Sequence, residues 1–200
     1  QKGDCHPEQE QSFAPAICNR LDRNTEGLVL AAKDAATLRE LNRLIRENRI
    51  QKTYLCVLTA TPPKQTDILH AYHWKDAKTN TVTISDCPKA GYREIITEYR
   101  VLQQQNGLCL AEITLHTGRT HQIRAHMAHI GAPLAGDSKY GNRRKKESLH
   151  LKHQLLCAYQ LQFHPEADSC LAYLNGKTVT APLPDFVSRF FPTFSSKNRK

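Results

Sequence analysis

The chain has 200 residues, 40% of them hydrophobic and 24% charged, which suits one domain with one real core, or a domain with a small appendage. Its 28 Lys and Arg against 19 Asp and Glu leave a formal charge of +9, a balance that favours a polyanionic partner, nucleic acid before membrane. No apolar run is long enough for a helical membrane span and no signal-peptide pattern opens the chain, so no membrane association is expected. The seven cysteines are scattered, odd in number and without a C-x-x-C pair, which disfavours zinc or redox use and fits a reducing cytoplasm.

In chain order, residues 1–12 are polar and aperiodic and read as a lead-in loop. The stretch Asn19 to Lys33, NRLDRNTEGLVLAAK, then sets a carboxylate, Asp22, among Arg20 and Arg23. Apolar Ile17 and Cys18 precede it, and Leu28 to Ala32 follow as a continuous apolar run, the pattern of buried strands bounding a turn. Asp34 can cap a helix running to about Arg49, with Leu38, Leu41, Leu44 and Ile45 on one face. Ile50 to Ala60 reads as a strand that Pro62 and Pro63 end, and Thr66–Trp74 and Thr79–Ser85 as two shorter strands. Ile95–Gln104 and Leu108–Leu115 flank Asn106-Gly107, the strongest short hairpin signal available.

Further on, a helix is expected from Thr120 to Ile130, stopped by Gly131, and then a structured loop holding Asp137 and Tyr140. Asn142 to Lys146 is a basic exposed patch, and His150 to Phe163 a long strand. Asn175-Gly176 predicts a second hairpin, between Cys170–Leu174 and Lys177–Ala181. A short helix or turn spans Pro182 to Phe191, and residues 195–200 form a basic tail. Many strands with few helices imply an α+β domain over residues 13–194, built on a large mixed, mostly antiparallel sheet flanked by those helices.

Three segments carry candidate chemistry. Asp22 sits in a loop between expected strands, where chemistry is usually placed, although a turn-capping or surface-paired role is the plainer alternative. Tyr54, next but one to Lys52 in KTYLCVL, is either an ordinary strand tyrosine or a ring for stacking and proton movement. In HTGRTHQIRAHMAH, Arg119 follows Gly118 at the expected mouth of a helix, where backbone N–H groups and a guanidinium fork suit an anion. Arg124 in the same segment reads more readily as part of a solvated basic helix. His121, His126 and His129 invite a metal reading and hence a hydrolase. No HExxH arrangement accompanies them, and no phosphate loop or G-x-S-x-G is present, so no metal or cofactor is expected.

Together these segments resemble the RluA-type pseudouridine synthases. NRLDRNTEGLVLAAK looks like the family's [HN]RLDxxTSG signature and the apolar run and Lys that follow it. KTYLCVL, ITEYRVL and QLLCAYQLQFHP resemble three of its strands, and LHTGRTHQIRAHMAHIGAPLAGDSKYG its third motif nearly end to end. The likeness runs from about Phe13 to Pro192. Glu26 stands where Ser or Gly is usual, and Cys157 where His is frequent. The family's opening strand with its Lys-Pro-x-Gly pattern is absent, so a catalytic domain lacking an N-terminal part is expected.

The resemblance implies isomerisation of uridine to pseudouridine in ribosomal or transfer RNA, without metal or cofactor. Asp22 would be the catalytic carboxylate, paired with Arg119, and Tyr54 would stack on the target base. Ile123 would lie under the base, and Arg20 would enter the helix vacated by the flipped uridine. Lys52, Thr120 and His121 would complete the substrate contacts, and the basic patch and tail would hold phosphates. A monomer is expected. An RNA-binding module of the same fold without turnover is the alternative.

Overall fold

The computed structural model describes residues 13–195, so the expected lead-in loop and nearly all of the basic tail lie outside the described residues. In chain order the elements are β1 (Ala16–Ile17), β2 (Glu26–Gly27), β3 (Ala31–Ala32), α1 (Ala35–Arg46), β4 (Ile50–Leu58), β5 (Thr66–Asp76) and β6 (Thr81–Ser85). There follow β7 (Arg93–Gln105), β8 (Leu108–Leu115), α2 (Gln122–His129), α3 (Arg143–Ser148), β9 (Leu156–Phe163), β10 (Thr178–Thr180) and α4 (Asp185–Phe190). The main sheet runs β10-β9-β4-β8-β7-β5-β6 with antiparallel neighbours throughout, and β2 joins β9 in parallel. This is the expected α+β architecture. No helix among the described residues is long and apolar enough to cross a membrane.

Local chemistry accounts for several elements. Asp34 accepts a hydrogen bond from the Thr37 N–H at 2.7 Å and so caps α1, as expected. Asn106 and Gly107 both take positive φ, 52° and 71°, giving the tight turn that the right-handed twist of β7 and β8 requires. Gly131, at φ 81°, closes α2: its N–H bonds to the Ala128 carbonyl and the Ala132 N–H to that of Met127.

Four expectations are corrected. Leu28 to Ala32 is not a buried strand, because only Ala32 is fully buried and Val29 is 46% exposed. Its last two residues instead pair with β1 in a small antiparallel ribbon outside the main sheet. Strand β9 starts at Leu156 rather than His150, since His150 takes a left-handed φ of 51° and residues 150–155 form a loop. Asn175-Gly176 does not join two paired strands: Asn175 is extended (φ −57°, ψ 128°) and only Gly176 has positive φ, a type II turn rather than the primed hairpin turn. The segment before it is a 3-10 turn with Leu171 buried, and β10 pairs with β9. Finally, α2 begins at Gln122, because His121 is left-handed at φ 52° and cannot be a helical residue.

The core explains where a cleft can form. On one face of β4, Ile50 packs with Leu161, Phe163 and the α1 residues Leu41 and Leu44. Further along that face, Cys56 and Leu58 pack with Ile113 of β8 and with Ile123 and Met127 of α2. Lys52 and Tyr54 stand between these clusters, on the same face by the two-residue strand period. The opposite face is closed by Leu55 and Val57 against Phe186 and Val187 of α4. A bulge where Thr53 and Tyr54 meet β9 pairs them with Gln160 and Ala158, leaving Tyr159 extra. That extra residue lets Leu156, Leu161 and Phe163 share the cleft-side face despite their odd spacing.

The loop between β1 and β3 is fastened onto this sheet. Gly27 takes φ 111°, and a Cβ there would overlap the Ala158 carbonyl oxygen of β9. Gly27→Ala is therefore expected to lower unfolding stability by at least about 1 kcal/mol, since it adds both left-handed strain and a backbone clash. Urea denaturation of the two proteins measures the difference.

Candidate active site

The residues that the sequence marks as chemical converge on one cleft. Its cavity of about 160 Å³ is lined by Asp22, Lys52, Tyr54, Arg119, Thr120 and His121, with Arg20, Ile123 and Arg124 completing the wall. Three pieces of chain supply its polar side chains, while Leu115 of β8 and Leu156 of β9 add apolar lining. The 19–30 loop supplies Arg20 and Asp22, the cleft-facing positions of β4 supply Lys52 and Tyr54, and the turn into α2 supplies the rest.

The loop is held by side chains on both sides. The Asn19 side-chain oxygen accepts the Leu30 N–H at 2.7 Å, closing its base. The Thr25 N–H bonds to the Asp22 carbonyl at 2.9 Å across a turn in which Asn24 takes φ 65°. Gln154, buried just ahead of β9, donates to the Arg23 carbonyl at 2.7 Å and to Thr25 Oγ1 at 3.3 Å. Gln154 was not foreseen as a site residue. Its membership of QLLCAYQLQFHP was legible, but its contact lies 131 residues away in sequence.

The cation that meets Asp22 is Arg124, not Arg119. Arg124 Nη1 lies 3.4 Å from Asp22 Oδ2, while its Nε and Nη2 grip Asp137 at 2.7 and 3.1 Å. Side-chain exposure is 8% for Arg124, 20% for Asp22 and none for Asp137. The reason is the late start of α2. Arg119 lies outside the helix, in a turn where Gln122 Oε1 accepts its N–H at 3.0 Å and its carbonyl accepts the Gln122 N–H at 3.1 Å. Its side chain is exposed at the rim of the cleft, whereas Arg124, the third helical residue, is turned inward. The implied pairing of Arg119 with Asp22, and the reading of Arg124 as part of a solvated basic helix, are both overturned.

Neighbouring groups fix Asp137 and hold Arg124 in place. Asp137 also accepts the Lys139 and Tyr140 N–H groups, at 2.8 and 3.1 Å. The Arg124 guanidinium lies 5.4 Å from the Tyr140 ring centroid. The Tyr140 hydroxyl accepts the Val82 N–H at 2.8 Å and is hydrogen-bonded to His121 Nδ1 at 2.9 Å. Burial opposes the charge of Asp137, yet the Arg124 hydrogen bond and charge hold its carboxyl below the usual value. Burial likewise works against Arg124, and the bond and charge of Asp137 carry it above the ordinary guanidinium value.

The other cleft groups are shifted by desolvation. Burial, helped by the charge of Asp22, pushes the Tyr54 phenol up to about 12. Burial pushes the Lys52 ammonium down, and it pushes His121 down against the partial opposition of Asp22. Tyr54 is therefore a neutral phenol at neutral pH, packed against the core that includes Ile113 and Ile123. The histidines of the metal reading diverge: His121 meets Tyr140, His126 meets Thr97 at 3.0 Å and His129 meets Asp86 at 2.7 Å. Among the described residues no three His, Cys, Asp or Glu are grouped to hold a metal ion.

Comparison with known proteins decides the family. The profile described as RNA pseudouridylate synthase matches residues 2–129, well over half of the chain. The chain belongs to this family. An uncharacterized RNA pseudouridine synthase of Chloroflexus aurantiacus is 36% identical over 171 residues, covering 85% of this chain and 50% of that protein. The ribosomal large subunit pseudouridine synthase C of Buchnera aphidicola is 33% identical over 180 residues, covering 86% and 53% respectively. The chain thus spans about half the length of these curated relatives. Among solved structures, human RNA pseudouridylate synthase domain containing 1 superposes with a TM-score of 0.73 at 21% identity, over 92% of this chain and 78% of that one, a likeness of fold.

Within this cleft, the buried Arg124–Asp137 pair is the contact most exposed to disruption by a single substitution. Asp137→Ala leaves the buried Arg124 guanidinium with only its longer contact to Asp22 and is expected to cost about 3–5 kcal/mol in denaturant unfolding.

His126 offers a pH test on the same helix. Burial, with the nearby charge of His129, pushes it down to about 4 from an ordinary value of 6.5. Between those values the unfolded chain binds the proton and the folded chain does not. Stability is therefore complete above pH 6.5 and falls on acidification towards pH 4, by up to about 1.4 kcal/mol per pH unit from this group. His126→Gln should flatten that slope in urea titrations run across the interval.

Proposed function

We propose that this cleft isomerises a uridine within structured RNA to pseudouridine, with Asp22 as the catalytic carboxylate. The observation that carries the reading is Asp22 itself. It is held 3.4 Å from a buried arginine and faces a cavity beside Tyr54 and Lys52, in a chain of the pseudouridylate synthase family. The reaction breaks the N1–C1′ bond of the nucleotide, turns the base and joins C5 to C1′. The C5 proton leaves and N1 ends protonated. No electrons enter or leave, so side chains alone can supply the chemistry and no cofactor or metal is invoked.

Asp22 then acts on the nucleotide or on a ribose proton, with Arg124 aiming it through the bond to Asp137. Tyr54, kept neutral, offers the base a stacking face and a hydroxyl donor rather than a proton acceptor. Ile123 is the apolar floor. Lys52 makes no ion pair among the described residues, and its half-buried ammonium gains from meeting an oxygen of the substrate. Thr120 and His121 close one wall of the site. Arg119 and Arg20, both exposed at the rim, meet phosphate or fill the stack that the flipped uridine leaves. Ribosomal RNA is the substrate class proposed ahead of transfer RNA, because relatives in Buchnera and Rickettsia are named large subunit synthases. The cytoplasm is the corresponding compartment.

Asp22→Asn is expected to abolish pseudouridine formation while leaving the thermal transition within a few degrees of the parent protein. Carbodiimide mapping of total RNA, from cells with and without the gene and after complementation by the variant, reads the outcome and names the modified position. Modification persisting in the variant would remove Asp22 from the chemistry. Binding of RNA without conversion by the parent protein would favour a module that holds RNA without turnover.

A further inference from the structure

The chain contains one tryptophan, Trp74, and it is 40% exposed on β5. Its exposure has a topological cause. Strand β7 begins at Arg93, opposite His73, so Trp74 to Asp76 have no ladder partner on that side of β5. The turn ending at Tyr92, whose N–H bonds to the Lys89 carbonyl at 3.0 Å, lies there instead. It stacks the Tyr92 ring on the indole, with centroids 6.3 Å apart and planes 23° from parallel. Lys89 lies 5.7 Å from the Tyr92 centroid.

Beside this pair runs an open groove of about 280 Å³, lined by Trp74, Lys75, Gly91 and Arg93 and reaching His73, Arg119 and Thr120. Arg119 and Thr120 also line the Asp22 cleft, so the two concavities meet at these residues. The junction is fixed by His73 Nε2, hydrogen-bonded to the Thr120 carbonyl at 2.9 Å. The groove carries three cations, Lys75, Arg93 and Arg119, and no carboxylate.

We propose that this groove is a second nucleobase subsite, in which an unpaired nucleotide flanking the target uridine stacks its base on Trp74 while Lys75, Arg93 and Arg119 meet its phosphates. The inference rests on the cleft being the uridine site. Aromatic faces among cations are how unpaired RNA is held, whereas the centre of a protein–protein interface is depleted of charge. The subsite acts on binding. It touches no reacting atom, so it lowers KM without altering turnover at saturating RNA.

The sole tryptophan makes the test direct. A short oligouridylate and the matched abasic ribose-phosphate oligomer are titrated into the parent protein and into Asp22→Asn. Quenching of Trp74 emission by the base-containing strand, in both proteins, supports the subsite. Trp74→Ala should weaken that strand's binding about tenfold and raise KM similarly with kcat kept, and Trp74→Phe should recover most of the loss. Equal binding of the two oligomers without quenching, or unchanged affinity in Trp74→Ala, overturns the subsite. So does capture of a protein partner that Trp74→Ala releases while RNA binding is untouched. Quenching in a protein that modifies no RNA would leave the subsite standing and sink the isomerase reading instead.

Discussion

The shape of the cleft depends on one buried guanidinium. Arg124 is removed from water, which is costly, and is compensated by a bidentate grip on an equally buried carboxylate, Asp137. Its remaining Nη1 is thereby committed to Asp22. Asp22 is thus tied to a pair of residues more than a hundred positions further along the chain. An exposed arginine in the same role would be screened by solvent and free to leave, as Arg119 is.

That arrangement needs a sheet that leaves a gap at the right place. On the cleft side of β4, apolar packing covers both ends of the strand, and only Lys52 and Tyr54 lie between the two clusters. The extra residue of β9 keeps Leu161 and Phe163 on the face where α1 needs them, while α4 seals the far side. The loop carrying Asp22 then rests on β9 through Gly27 and Gln154. A packed sheet is stiff, so a loop fastened to it at several points presents its carboxylate in a narrow range of positions.

Several positive charges of this basic chain are consumed internally. Lys145 bonds to the carbonyls of Thr59 and Gly107, Arg143 pairs with Glu147 at 2.9 Å, and Arg43 with Glu40 and Glu166. The rim of the cleft is different. Arg20 and Arg119 are exposed there without ion pairs among the described residues, and Lys75 and Arg93 extend the same character towards Trp74. A net charge of +9 therefore understates how unevenly the available cations are distributed.

Alternation of side chains, Asp34 before an amphipathic run, and Asn106-Gly107 between apolar strands were enough to place α1 and the β7–β8 hairpin. Those signals act between neighbours, so they are written locally. The membership of the cleft was legible too, because Asp22, Tyr54 and the segment around Arg119 are recognisable as motifs. What the chain alone could not decide was contact between distant groups. Whether Arg119 or Arg124 meets Asp22 turned on His121 adopting a left-handed conformation two residues into an expected helix. Whether Asn175-Gly176 made a hairpin turned on Leu171 being buried and β10 finding β9 as partner. Gln154 became a support for the loop that carries Asp22 only because β9 lies beside it. Burial and long-range pairing set these outcomes, and both come into existence only when the sheet is assembled.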